Sequence, residues 1–516
     1  MLSRRQPTVL VRNAEVGGHR GVDVRVAPER IEDVGSKLTR QPGEEVVEAT
    51  GGAIIPGLHD HHVHLRAVVA ARRSVDTSQA CDAAAFDRLI AAATAAAAVT
   101  PGRWVRATGW DEHRAGQLDL RRLDVLTGQV PTRVQHRSGA MWVLNSAALH
   151  ALGAERCGLD GIERDADARP TGRLLRMDAW LADRLASIGV GQDGATLAAG
   201  LAEGLAEFAG SCSELGITGF TDATPGRDVT DAEELAELSE AGVFPQRLTL
   251  MAPAGLRMQC ASRVALGPVK LLLDDDTLPS LEALAAEITR AHSDGRGAAV
   301  HCVTAEQLVV AVAAFEQADE PPQGTTDRIE HAGVVPPGYS ERLACLGVAV
   351  VTQPGFIWER GDQYALHVPA PEQAWLYPCA SLLRAGVPVA ASSDAPFGPT
   401  NPWLAIATAV SRSTSSESVL GAAERVSPAR ALRLYMAAPD DVRRTRTIAP
   451  GEPGEVCVLR APLRTVLSDP LSAEVAATII GGQAVTIGVA RADPPATGSA
   501  EPVFRTLPSR QIRAWR

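Results

Sequence analysis

Four of the chain's twelve histidines fall within six residues, in the stretch His59-Asp60-His61-His62-Val63-His64. Neutral imidazole nitrogen is a good ligand for zinc and related divalent ions, so this stretch could hold a metal. It follows the apolar run Ala53-Ile54-Ile55-Pro56-Gly57-Leu58, which reads as a buried strand. Alternate residues of a strand share a face, which places His62 and His64 together, with Asp60 preceding them on that face. The plainer alternative is a polar loop with a chance cluster. Ligands at the ends of other strands decide between the two.

A second chemical signal is a lysine. Of 50 basic residues only Lys37 and Lys270 are lysines, and Lys270 lies inside the apolar run Gly267-Pro268-Val269-Lys270-Leu271-Leu272-Leu273. An ammonium group buried there is costly unless it is paired or chemically altered. Unlike a guanidinium, a lysine amine can lose its proton and react with carbon dioxide. The resulting carbamate is an anion able to bridge two metals. An ion pair with Asp274 or Asp275 is the alternative.

The elements that must position these residues are short apolar runs separated by helical stretches. After the histidine strand come runs at 217–222, 246–251, 269–273, 298–301, 327–331, 348–353 and 388–394, with helices expected at 231–242, 281–293, 304–318 and 374–386. Eight strands alternating with helices indicate an α/β fold of the (β/α)8 TIM-type barrel class, whose working residues sit at the C-terminal strand ends. His62 and His64 close the first strand, Lys270 lies in the fourth, and His301, His331 and Asp394 close the fifth, sixth and eighth. Six metal-competent side chains thus converge on one mouth.

Short β segments at 8–11, 22–26 and 45–48, and again at 455–459 and 476–480, suggest a composite β-sandwich domain formed by both terminal segments, 1–56 and 446–490. The barrel then occupies 57–445, with an insertion after strand one over about 75–185 lying across the mouth. Residues 491–516 read as a loose tail. Within the insertion and the loops after the strands, Trp110, Asp111, Arg137, Trp142, Arg176 and Trp358 are the candidate substrate-binding residues.

Composition narrows the class. Hydrophobic content of 45% with 22% charged residues describes an ordinary globular protein. A formal net charge of −11 argues against a nucleic-acid or anionic-membrane partner. No apolar run is long enough to span a membrane, and the first residues lack the hydrophobic core of a signal peptide. The eight cysteines are scattered without a Cys-x-x-Cys, which points to reduced thiols in the cytoplasm.

The ordered motifs resemble those of the amidohydrolase superfamily, and within it the YtcJ-like metal-dependent hydrolases (amidohydrolase family 3). They are Pro56-Gly57-Leu58-His59-Asp60-His61-His62-Val63-His64, Thr108-Gly109-Trp110-Asp111, Asn145-Ser146-Ala147-Ala148-Leu149, Leu215-Gly216-Ile217-Thr218, Val269-Lys270, Asp327-Arg328-Ile329-Glu330-His331-Ala332 and Ser393-Asp394-Ala395-Pro396. The resemblance implies one or two divalent metals, commonly zinc and here expected as two: His62, His64 and Asp394 would hold one, and His301 and His331 the second, with carbamylated Lys270 bridging. It implies hydrolysis of a C–N bond in an amide, N-acyl compound or cyclic amide, with Asp394 shuttling the proton. One departure stands out: many relatives carry a histidine after the glycine where this chain reads Gly139-Ala140. The expected partner is a small-molecule substrate, and a homodimer is compatible with the sequence. A one-metal heterocycle deaminase and a non-catalytic binding barrel are the alternatives, and the intact ligand set weighs against both.

Overall fold

The computed structural model describes residues 8–100, 102–190, 194–259 and 262–487. The tail expected from 491 lies outside them. Eight parallel strands form the central sheet: β1 (Leu58–Val63), β2 (Ile217–Asp222), β3 (Arg247–Ala252), β4 (Val264–Leu271), β5 (Ala298–Cys302), β6 (Arg328–His331), β7 (Ala349–Thr352) and β8 (Val389–Ala391), each hydrogen-bonded to the next. The sheet closes just past β8, where Val63 bridges Ala395, the Asp394 amide donates to the His62 carbonyl at 2.9 Å, and the His64 amide to the Ala395 carbonyl at 2.9 Å. This is the expected barrel, and its seam joins the segments that carry His62, His64 and Asp394.

Two local expectations are corrected. β4 begins at Val264, ahead of the expected 269, because the strand accommodates Gly267-Pro268 through a register shift against β3. A side chain at Gly267 would meet the Thr249 methyl at 2.5 Å, so only glycine fits this crossing. The helix expected over 374–386 is broken into a 3-10 turn, Glu372–Trp375, and a short helix, Ala380–Ala385. Pro378 between them cannot donate the required amide hydrogen.

The surrounding helices follow from pattern and caps. In Leu281–Ser293, Leu284, Ile288 and Ala291 form one buried stripe, and the Ser280 hydroxyl caps the amide of Ala283. Ala305–Gln317 starts with a capping box between Thr304 and Gln307. No helix among the described residues is long and apolar enough to cross a membrane.

Two further bodies flank the barrel. Below it, one four-stranded sheet takes Val9–Val16, His19–Val26, Ile31–Gly35 and Glu45–Glu48. A second combines Ile54–Pro56 with Val456–Leu459, Val475–Ile480 and Gln483–Ile487. Alternate valines and isoleucines from both, among them Val9, Val11, Val24, Val26, Ile54, Val456, Val458 and Ile479, share one apolar core. Between β1 and β2, a six-stranded sheet runs in the order Ile162–Arg164, Pro170–Leu175, Met141–Leu144, Thr132–His136, Val105–Trp110, Val75–Asp76. It reaches the loops at the C-terminal strand ends. Arg176 ion-pairs with Asp274, Gln363 Nε2 donates to Asp111 Oδ2 at 2.7 Å, and Gly139 (φ +79°) lies so close to the Phe397 ring that a Cβ there would collide at 2.4 Å.

Candidate metal centre

β1 does not keep strict alternation. Its pairing with β2 shifts register between Phe220 and Asp222, so three residues, Asp60 to His62, precede Val63 where β2 has fewer. The bulge turns Asp60 away from the ligand face on which the alternation placed it. Its carboxylate instead accepts from the Ser393 amide at 3.0 Å, the Ser393 hydroxyl and the His62 amide at 3.3 Å, tying β1 to β8 across the seam. Burial pushes the Asp60 carboxyl up to about 6, against the pull of those hydrogen bonds.

His62 and His64 come to Asp394 from the other side of the seam. His64 Nε2 lies 3.2 Å from Asp394 Oδ1 and His62 Nε2 3.7 Å from the same oxygen. Donor atoms of all three residues fit within 4.8 Å of one another. His331 Nδ1 is 3.9 Å from Asp394 Oδ2, and the His331 ring packs 4.7 Å from that of His62 and 4.6 Å from that of His301, centre to centre. Asp394 (φ +56°) and His331 (φ +73°) both hold left-handed backbone conformations that cost non-glycine residues energy. The strain therefore coincides with two of the converging side chains.

A second layer fixes these imidazoles. The His62 Nδ1 is hydrogen-bonded to Glu330, whose other oxygen accepts from Arg328 Nε. His331 Nδ1 meets Gln353 Oε1 at 2.9 Å, and the Gln353 amide donates to Ser392 Oγ at 2.9 Å. With Nδ1 committed to a carboxylate, His62 presents Nε2 as a lone pair, and that buried nitrogen has no hydrogen-bond partner. Neither Glu330 nor Gln353 was singled out from sequence. A buried carboxylate beside a strand-terminal histidine is the same kind of signal as Lys270 in its apolar run.

Burial holds the His62 and His301 imidazoles well below the usual histidine range, with the Lys270 charge adding to both. They are neutral lone-pair donors at neutral pH. For Asp394 burial acts upward, but the His64 hydrogen bond and the imidazoles of His331 and His62 outweigh it and hold the carboxyl below its ordinary range. Lys270 is 9% exposed, and burial lowers its ammonium pKa while Glu330 and Asp394 oppose that shift. The ion pair considered for Lys270 does not form. Asp274 is taken by Arg176, and Asp275 Oδ1 accepts from Thr304 Oγ1 at 2.8 Å.

The candidate substrate residues divide. Asp111 and Arg137 face one another at 3.6 Å where the inserted sheet meets the helix Gly355–His367, and Arg176 sits near enough to His301 to act on its charge. Trp358, half-buried, lies in that same helix. Trp110 and Trp142 belong elsewhere. Trp110 is buried in the core of the inserted sheet and donates to the Gly116 carbonyl at 3.1 Å; Trp142 fills a neighbouring core and donates to Asp178 Oδ1 at 2.8 Å. Large apolar rings with one satisfied N–H are packed as structural anchors there.

Comparison with known proteins gives a consistent picture. Residues 45–486 match the model of the amidohydrolase family. The N-substituted formamide deformylase of Arthrobacter pascens is 27% identical over 81% of this chain and 85% of its own length. The YtcJ protein of Bacillus subtilis (strain 168) is 25% identical over 73% of this chain and 76% of its own length. Among solved structures, an uncharacterized metal-dependent hydrolase from Pyrococcus horikoshii OT3 superposes with a TM-score of 0.62 at 20% identity, over 83% of this chain and 91% of that one.

Proposed function

The chain belongs to the amidohydrolase family and hydrolyses carbon–nitrogen bonds other than peptide bonds, and from that premise we propose a metal-dependent hydrolase of small N-acyl amides. The observation that carries the reading is the cluster of His62, His64 and Asp394 donor atoms with the His62 Nε2 lone pair otherwise unused. Imidazole and carboxylate donors are the set zinc prefers at catalytic sites. His62, His64 and Asp394 would hold one ion, and His301 and His331 a second, with Lys270 as a bridging carbamate. When bound, such ions acidify water and polarise the substrate carbonyl.

The chain's own groups complete the chemistry. Asp394, kept ionised by its imidazole neighbours, accepts the proton of the attacking water and returns it to the leaving nitrogen. Glu330 and Gln353 hold the imidazoles of His62 and His331 in the required orientation. The Lys270 ammonium, buried, gives up a proton more readily than an exposed one, and the free amine can then form an N–C bond to carbon dioxide with release of a second proton. The carbamate would supply negative charge to the ions held by these residues. The inserted sheet, anchored by Arg176 and Asp111, screens the mouth, while the paired terminal sheets serve as a structural base. A relative named for deformylating N-substituted formamides supports a small acyl group and a variable amine half. All seven described cysteines are free, which supports a reducing compartment such as the cytoplasm.

Elemental analysis of the purified protein, coupled to assays on N-formyl, N-acyl and cyclic amides, tests this reading. The expected result is close to two divalent ions per chain and turnover of at least one amide class. Active protein free of metal overturns it.

A further inference from the structure

The inserted sheet carries two arginines side by side. Arg106 in Val105–Trp110 and Arg133 in Thr132–His136 are paired in parallel register. Their side chains therefore leave the same face of neighbouring strands, whose backbones lie about 4.8 Å apart. Trp142, on the next strand, pairs with Gln135, two residues from Arg133, and so stands on that face too. The opposite face is apolar, where Ala107, Val134 and Val143 pack with Phe86 and Ile90. Both guanidinium groups lie over the Trp142 ring, 5.4 Å from its centre for Arg106 and 5.3 Å for Arg133.

Neither arginine has a counter-ion. The Nε of each is buried without a hydrogen-bond partner, and among the described residues no carboxylate forms an ion pair with either. Asp178 is the acid whose charge acts on both, yet its Oδ1 accepts the Trp142 indole N–H at 2.8 Å. Two other arginines of the sheet also bury an Nε, but Arg137 faces Asp111 at 3.6 Å and Arg173 donates to Gln117 Oε1 at 3.1 Å. Like charges on neighbouring strands repel, and burial raises the cost. Burial, and after it the Arg106 charge, pushes Arg133 down to about 9. Stacking on the indole holds the planar groups by their faces and leaves their N–H edges unspent. Both side chains are half-buried, and their outer nitrogens stay open to solvent.

We propose that Arg106 and Arg133 form a binding site for a phosphate group, free or as the monoester of a small molecule. One guanidinium fork already saturates the two oxygens of a carboxylate, whereas two forks on adjacent strands match the three terminal oxygens of a phosphate. A dianion also offsets the pair of positive charges that Asp178 alone leaves unbalanced. The core around Trp142 draws only on the insertion, from Trp104 to Val190, which sets this site apart from the histidine cluster and makes it independent of the hydrolase reading.

Calorimetry on the metal-replete full-length protein tests this with inorganic phosphate, glycerol phosphate and, as the carboxylate control, acetate at matched ionic strength. Saturable one-to-one binding of phosphate or its ester is expected, with acetate weaker by at least about 10-fold. Arg106→Gln and Arg133→Gln should each weaken it by about 10- to 100-fold, and Arg133→Lys, which keeps the charge but loses the fork, by less. Tighter binding of the ester identifies a phosphorylated small molecule as the ligand; equal or tighter binding of free phosphate identifies the ion itself. Because phosphate can also bind a metal, the titration is repeated after chelator treatment, and binding should persist. Thermal melting checks that each variant is folded, and Arg133→Lys decides where a Gln variant is not. No saturable binding, acetate as tight as phosphate, affinity unchanged by the substitutions, or binding lost with the metal overturns the inference.

Discussion

Two levels of the barrel interior hold histidines from the same strand in opposite circumstances. At the lower level the rings of His59 and His61 lie 4.5 Å apart, and at the upper level those of His62 and His64 lie 5.2 Å apart. Both pairs have the same His-x-His spacing. Below, burial depresses both imidazoles, and Arg328 and Arg446 add positive charge. His59 Nε2 is satisfied by Thr221 Oγ1 at 2.9 Å, while for His61 only the Ala437 backbone favours protonation. Above, Glu330 and Asp394 supply negative charge, and His62 keeps a free nitrogen between them. A divalent ion is repelled by the guanidinium groups of the lower level and stabilised by the carboxylates of the upper one. Spacing makes a pair of ligands possible; the surrounding charge decides which pair can hold a cation.

The sharpest way to break this comparison is Asp394→Asn, which removes both a donor and the proton acceptor. We expect kcat/KM to fall by at least ~10³-fold, with loss of bound metal. Near-normal turnover at full metal occupancy would put the chemistry elsewhere. Lys270→Ala comes next, with less metal and a loss of about 10²-fold or more. Acetate or propionate should restore part of the activity by filling the space and supplying bridging oxygens. Intact-mass evidence of an unmodified amine in active, metal-replete protein would refute the carbamate.

Glu330→Gln sharpens the comparison by weakening the counter-charge of the upper level alone. Since the Glu330 carboxylate holds His62 Nδ1, metal affinity measured by chelator competition should drop by about 10- to 100-fold. An unchanged affinity would mean that the second layer does not tune the site.

The smallest effect is expected below. His61→Leu should leave metal content intact and change stability by within ~1 kcal/mol, because no hydrogen bond of ordinary geometry is lost. It should also alter a pH dependence. The folded pKa values of His59 and His61 are depressed, so the unfolded chain binds protons that the folded chain refuses. Stability is therefore present above about pH 6.5 and lost as pH falls below it, by up to ~1.4 kcal/mol per pH unit for each histidine. Chemical denaturation of metal-free His61→Leu should show a slope shallower by one such contribution. An unchanged slope would show that His61 is not buried as a neutral group.

Much of the architecture was legible because the barrel strands are short apolar runs, several of them followed or ended by a polar residue, and most crossovers have their own helical stripe. His62, His64, Lys270, His301, His331 and Asp394 could be picked out because polar groups at the ends of buried strands are costly without a role. The helix over 374–386 was misjudged by following its Ala and Leu content past Pro378. Trp110 and Trp142 were misplaced for a different reason: a tryptophan that packs a core and one that lines a mouth look alike in sequence. Glu330 and Gln353 went unassigned because their partners, His62 and His331, are brought to them only by strand pairing.

By itself, the amino-acid order determined the period of each segment, and with it the barrel, the chain order of its strands and the polar groups at their ends. Periodicity is local, and a chain cannot escape it without leaving apolar surface in water. Only the tertiary structure decided which of four neighbouring histidines face Asp394, because one register shift in β1 resets the alternation and turns Asp60 to the seam. It also decided that Glu330 rather than Arg446 stands behind His62. Those are contacts between segments far apart in the chain. Closure of the barrel creates them, and no spacing within a strand encodes them.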